Sequence, residues 1–410
     1  MKNKIAVLLA VLMLLGALAG CKPAATPDAS VPPAGTTDDA GTPTDDAADK
    51  DNPYDKSDKI VIAVVSSMTG ERAQNGIFAK EAMDLWADQV NSEGGIIGKT
   101  VEVVYEDDQS LESSAANAYQ KVLSRGDVNA VILSTFSAFT LAIEPYVLEY
   151  GVPTFTGGSS VKIPELKNDF LWQIRYSDGL AGVTMARASV QNLNMKKPAL
   201  MHSTDSFGQG LADATKAELL ELGIAESDIL DLGYSVGEKN YAPMLAQIKD
   251  AGCDGLIAIG HQVEGSLIVS QVATAGLNLP LMGSTTFCSE IVIENAGEAA
   301  NGWYSASDWT PTVQDEPGKS FVEEYSARYN RKPDLPSQCA YDSAILIKAA
   351  IEAGESADPK SINENIKQLK DVKGVASIYS PNADDHICAT TQFLTKNIDG
   401  VAEIQELVTR

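Results

Sequence analysis

The chain has 410 residues, with 56 acidic against 31 basic side chains, a net charge of −25 and three histidines. That balance excludes a nucleic-acid binder, which needs clustered Lys and Arg. The sequence shows no H-E-x-x-H, G-x-G-x-x-G or Walker motif, so neither an enzyme nor a metal or cofactor site is expected.

At the start, Lys2 and Lys4 precede an apolar run from Ile5 to Leu18. The run is shorter than the ~20 residues of a membrane-spanning helix. Leu18-Ala-Gly-Cys21 follows, with small residues at the cut, so residues 1–21 are read as an export signal. Leu-Ala-Gly-Cys resembles a bacterial lipobox, which implies lipidation of Cys21. The alternative is an ordinary signal peptide that happens to hold a cysteine. Residues 22–58 hold nine Asp, three Lys and no Glu, filled out with Pro, Ala, Thr and Gly. Such a segment cannot bury enough surface to offset its ordering entropy and is expected to be a disordered acidic tether.

From Ile60 the pattern alternates strand and helix. Ile60–Val65 is a β-branched run suited to a strand buried on both faces. The spacing of Ala79, Ala82, Met83, Trp86 and Val90 predicts a helix over 76–91, and further strands are expected at 100–105, 131–135, 152–156 and 170–174. Strands near 198–201, 229–234, 255–260 and 279–282 then alternate with helices, which repeats the pattern and implies a second lobe. Beyond Gly302 helices dominate, at about 317–330, 338–353 and 359–369, and a hairpin turns at Asp399-Gly400. The predicted fold class is α/β, two Rossmann-like lobes with parallel sheets joined by a three-crossover hinge. Lobe 1 is assigned 59–177 plus 309–377, and lobe 2 178–308 plus 378–410. Cys253, Cys288, Cys339 and Cys388 are far apart, and either bridges or free buried thiols are compatible with that spacing.

Two adjacent strands end in small residues: Val131–Thr135 leads to a helix at Ser137, and Val152–Thr156 opens into Gly157-Gly-Ser-Ser160. In open α/β sheets ligands bind at the carboxyl ends of strands, and glycine and serine there leave backbone groups and hydroxyls open to them. The alternative is a pair of βα turns using Ser as a cap and Gly for its conformational freedom.

Ala87–Gly98 with Tyr105–Ser110, Ser203–Gly210 and Ala340–Ala344, in that order and spacing, resemble the type I periplasmic solute-binding proteins. The likeness is strongest to the branched-chain amino-acid binders that feed ABC importers. The resemblance implies a small-molecule ligand, an amino acid, closed between two lobes, an ABC permease as partner, and an extracytoplasmic location with a lipid anchor to the membrane. It places the ligand carboxylate on Ser137 and Ser160, with Ser159 beside them, and part of the ammonium on the carbonyl of Gly158. It places Asn75, Phe207 and His261 on the remaining walls and Tyr176 at the first crossover. The family's ammonium-neutralising acid falls on Thr285. Thr offers only a dipole, and an ammonium taken from water needs an opposite charge. Either another acid substitutes, with Glu264, Glu290 and Asp308 as candidates, or the ligand is a non-amino-acid carboxylate or amide. A ligand sensor for a separate signalling partner is a further alternative.

Overall fold

The structure, a computed structural model, describes residues 52–409. The leader, Cys21 and the tether as far as residue 51 lie outside the described residues. The β-branched run forms β1 (Lys59–Ser66), buried at every position from Ile60 onward. β2 (Thr100–Asp107), β3 (Val128–Leu133), β4 (Thr154–Thr156) and β5 (Leu171–Gln173) join it in the order β2-β1-β3-β4-β5, each neighbouring pair parallel. The series restarts with β6 (Pro198–Ser203), β7 (Leu230–Tyr234), β8 (Gly255–Ile259), β9 (Leu281–Gly283) and β10 (Tyr304–Ser307), parallel in the order β7-β6-β8-β9-β10. A small antiparallel hairpin follows, β11 (Val372–Lys373) with β12 (Ile378–Tyr379). The chain ends in β13 (Thr391–Ile398) and β14 (Val401–Thr409), which turn tightly at Asp399-Gly400 and extend the second sheet antiparallel to β10. Both turn residues have positive φ, 50° and 78°, as a two-residue hairpin turn requires. The molecule is therefore α/β with two predominantly parallel sheets.

Alternation along β1 explains the layers, because successive side chains of a strand face opposite sides. Ile60, Ile62 and Val64 meet Met83 and Trp86 of the helix Ala73–Ser92 and Leu346, Ile347 and Ile351 of the helix Leu335–Gly354. Val61, Ala63 and Val65 meet Tyr119 of the helix Glu112–Leu123 and Ile143 and Val147 of the helix Ser137–Tyr150. The late helix thus completes the first layer, and Ser337 Oγ ties it there by donating to the carbonyl of Phe78 at 3.0 Å. The second sheet is covered in the same way, by the helices Asp178–Arg187 and Ser206–Glu221 on one face and Ala242–Asp250 and Gln262–Thr274 on the other.

Three segments differ from the reading of the sequence. Residues 52–57, expected within the tether, form a capped helical turn, Pro53–Lys56. No apolar burial orders it: the Asp55 carboxylate accepts from Ala357 N at 2.8 Å, and Lys99 Nζ donates to the Asp55 carbonyl at 2.5 Å. The stretch at 304–307, for which no strand was expected, is β10 of the second sheet. The third passage, expected at the 377/378 boundary, comes later. Val375 N and Ala376 N donate to Asp342 at 2.6 and 3.1 Å and pin the small hairpin to the late helix. His386–Cys388 then runs beside β5, where Gln173 N donates to His386 O at 2.8 Å and Cys388 N to Gln173 O at 2.9 Å. The proposed lobe boundary at 377/378 does not follow these contacts, because 378–389 stays with the first sheet and the crossing comes between Ala389 and Thr391. The four cysteines are buried and unbridged.

Candidate functional site

At the carboxyl edge of the first sheet, β3 and β4 end side by side. One hydroxyl builds the turn between them: Ser137 Oγ accepts from Ser159 N and from Ser160 N, each at 3.1 Å. A hydroxyl has two acceptor positions and one proton, so both acceptors are used and the proton is left to donate. Thr156 Oγ1 accepts from Gly158 N at 2.9 Å and pairs with Thr140 Oγ1 at 2.6 Å. Glycine is needed here for close approach: a Cβ on Gly157 would lie 2.8 Å from Thr135 Cγ2. Ser160 Oγ reaches the other lobe and donates to the carbonyl of Ser206 at 3.1 Å.

The facing wall comes from the ends of β6, β8 and β9. Asp205 caps the helix Ser206–Glu221 by accepting from Gly208 N at 3.0 Å, and also accepts from Ser203 Oγ at 2.8 Å. His261, directly before the helix Gln262–Thr274, puts Nε2 2.7 Å from the other Asp205 oxygen. Burial opposes ionisation of Asp205, but the His261 contact and the hydroxyl and amide donors prevail and hold its carboxyl well below the usual range. The His261 ring lies 5.1 Å from that of Phe207 and 5.5 Å, edge on, from that of Phe136 of the first lobe. Arg72 lays its guanidinium over the Phe136 ring, 4.2 Å from its centroid, a cation–π contact. The cleft therefore has an aromatic seam that runs from lobe to lobe.

Behind the seam, Arg175 and Asp308 tie the passages after β5 and β10 together. Arg175 Nε donates to Asp308 Oδ2 at 2.8 Å, with a second bond from Nη2 to the same oxygen, and Nη1 donates to Gly157 O at 3.1 Å. Both side chains are buried. Beside them is Asp178, 1% exposed, whose Oδ2 has no hydrogen-bond partner among the described residues. Burial pushes its carboxyl up to about 7, although the Ser159 hydroxyl and the Arg175 charge favour the ionised form.

Two small spaces remain between the walls and share Arg175, Phe207 and Thr285 in their linings. The outer, about 30 Å³, is lined by Asn75, Phe136, Arg175, Phe207, His261 and Thr285 among others. The inner, about 10 Å³, is lined by Ser159, Tyr176, Asp178, Phe207, Thr285 and Asp308 among others. A water needs roughly 10–15 Å³ on this measure, so neither admits an amino acid until the lobes part. A larger space of about 430 Å³ lies between 313–316 and the β13–β14 hairpin. Size is a poor guide here, since the buried polar groups converge at the strand ends.

Of the nine residues expected at the site, Asn75, Ser159, Tyr176, Phe207, His261 and Thr285 line these spaces. Ser137, Gly158 and Ser160 are buried in the turn just behind them. Asn75 Nδ2 donates to Thr135 Oγ1 at 2.7 Å. The three acids offered as substitutes at Thr285 are all engaged: Asp308 with Arg175, Glu264 with Gly237 N at 2.8 Å, and Glu290 with Lys332 at 3.3 Å. Arg175 and Asp178 were missed as a unit with Asp308. They stood in the sequence only as a strand-end Arg-Tyr-Ser-Asp run, and no local pattern tells that it meets residue 308.

Residues 59–398 match the model of a family described as periplasmic binding protein. The chain belongs to that family. This binding protein is 26% identical over 319 residues to a Leu/Ile/Val-binding protein homolog 2 of Brucella abortus (strain 2308), which covers 77% of this chain and 84% of that one. Its fold matches a branched-chain amino-acid transporter substrate-binding protein of Streptococcus pneumoniae solved with isoleucine, at TM-score 0.78 and 24% identity over 86% of this chain and all of that one. It matches equally a solute-binding protein of Rhodopseudomonas palustris BisB5 solved with 3,4-dihydroxybenzoic acid, at TM-score 0.78 and 19% identity over 86% and 98%. The binding protein has the type I fold of this family.

Proposed function

We propose that this protein is the extracytoplasmic solute-binding component of an ABC importer, anchored through lipid on Cys21, and that it takes a small amino acid, branched-chain or related, between its lobes. The observation that supports the reading most is the turn at Ser137. Its hydroxyl is left as a donor by two backbone amides, in the place where a carboxylate would meet strand ends and a helix start. The aromatic seam of Phe136, His261 and Phe207 supplies apolar surface for a side chain. Ligand makes contacts with both lobes only when they are closed, so binding shifts the population toward closure, and the closed form is what a permease would recognise.

An amine-free aromatic carboxylate is the second reading. The seam and the cation over Phe136 favour it, and a structural neighbour carries dihydroxybenzoate. A thermal-shift screen of unfolded and refolded protein against Leu, Ile, Val, Phe, their deaminated acids and benzoates decides between them. A ligand at ~1,000 times its dissociation constant adds ~4 kcal/mol to the native state and shifts the midpoint by several degrees. Response to the amino acids alone supports the first reading, and response to the amine-free acids alone replaces it with the second.

A further inference from the structure

We infer that Asp178 is the carboxylate that receives the ligand's ammonium group, replacing the acid that the cleft lacks at Thr285; this rests on the amino-acid reading above. Asp178 and Thr285 line the same inner space, together with Phe207 and Ser159, so an ammonium drawn toward the Thr285 wall meets Asp178 as well. The neighbouring groups already have partners. Arg175 is paired with Asp308, and Asp205 is hydrogen-bonded to His261 at 2.7 Å. Asp178, nine-tenths or more buried and with one oxygen lacking a partner among the described residues, is the carboxylate at this space that forms no ion pair among those residues.

Its position is well held. Asp178 N donates to Ser159 O at 2.7 Å, which ties the start of its helix to the turn organised by Ser137, and the preceding residue, Ser177, caps that helix. The acid therefore moves with the turn that is to hold the ligand's carboxylate, and the two ends of an α-amino acid would be met by one rigid unit.

The charged groups that face Asp178 are Arg175 from the passage after β5, Asp308 from that after β10 and Asp205 from the end of β6, with His261 behind Asp205. Without ligand, burial is the largest influence, and the carboxyl sits at about 7. An ammonium at hydrogen-bond distance stabilises the ionised form and draws that value down. Binding then expels the proton Asp178 holds: close to one per ligand at pH 6 and about a tenth at pH 8 for a group at about 7, so that affinity rises roughly tenfold over that interval. The amine-free acids gain nothing from the ionised form, and their affinity should be flat or fall with rising pH.

Calorimetry of the full chain with Leu, Ile, Val and their deaminated acids, at pH 6 and pH 8 in buffers of contrasting ionisation enthalpy, reads the proton directly. The expected result is release of nearly one proton per amino acid at pH 6, and loss of both that release and at least tenfold in affinity in Asp178→Asn. Comparison with Asp178→Asn assigns the release to this carboxylate, because every other group is common to the two proteins. Amino-acid binding without proton release, or with release unchanged in Asp178→Asn, overturns the role of Asp178 and leaves the amino-acid reading standing. Binding of amine-free acids alone overturns both. Absence of proton release from wild type overturns the role of Asp178 without any variant, and Asp178→Ser serves as the second variant if Asp178→Asn misfolds. A melting scan of the Asp178→Asn variant checks its fold: removing a carboxylate whose ionisation burial opposes should raise its midpoint above wild type at pH 8, by less at pH 5, and leave the two equal only below about pH 4, where folded and unfolded Asp178 both hold the proton.

Discussion

Ser137 organises the first wall through one oxygen atom. Ser137→Ala removes the acceptor of two buried amides at once, and each unsatisfied amide costs about 1–3 kcal/mol. We expect the denaturant midpoint to fall by an amount equal to about 2–4 kcal/mol, with affinity for a carboxylate ligand falling as well. Arg175→Met strands Asp308, buried without its cation, and should destabilise by about 3–5 kcal/mol, whereas the Arg175→Met, Asp308→Leu pair should recover most of the loss. Urea unfolding of the three variants measures the coupling, and equal losses in single and double variants would refute it. At this scale the serines and glycines were legible because they sit at the ends of β-branched runs, where small residues have a local meaning. The Arg175–Asp308 pair was not, because its members are 133 positions apart and neither stands in a pattern that implies the other.

Long elements were legible for a related reason. A strand buried on both faces writes an unbroken apolar run, and a helix on a sheet writes a stripe of period 3.6, so β1 and the helix Ala73–Ser92 could be placed from spacing alone. Short elements held by single polar contacts write neither. The N-terminal turn Pro53–Lys56 rests on Asp55, which accepts from Ala357 N at 2.8 Å and from Ser356 Oγ at 3.1 Å. Asp55→Ala should release it at a cost of about 1–2 kcal/mol, seen as faster hydrogen exchange at Ala357 with little change elsewhere. The two-residue strands β11 and β12 are the same case, with Asp342 as their anchor. That anchor delays the last crossing.

Across the whole molecule the two lobes meet in a closed arrangement. The Ser160–Ser206 bond at 3.1 Å and the ring contact of Phe136 with His261 span the gap, while Arg175 and Asp308 fasten the hinge behind it. Ser160→Ala deletes the first contact, worth about 1 kcal/mol. The ligand-free population should therefore move toward the open form by roughly fivefold, read as a larger radius of gyration in small-angle scattering. An unchanged radius would mean that this bond does not bias closure. The sequence by itself determined the class of the fold, the repeat of the βα series and the small residues at the strand ends, because each depends on neighbours within one or two turns of chain. Only the tertiary structure decided which acid is buried with an oxygen unpartnered among the described residues, which hydroxyls are spent on amides and where the chain crosses for the last time. Those outcomes depend on which distant side chains share a buried space, and charge balance in such a space is settled by all of its occupants together.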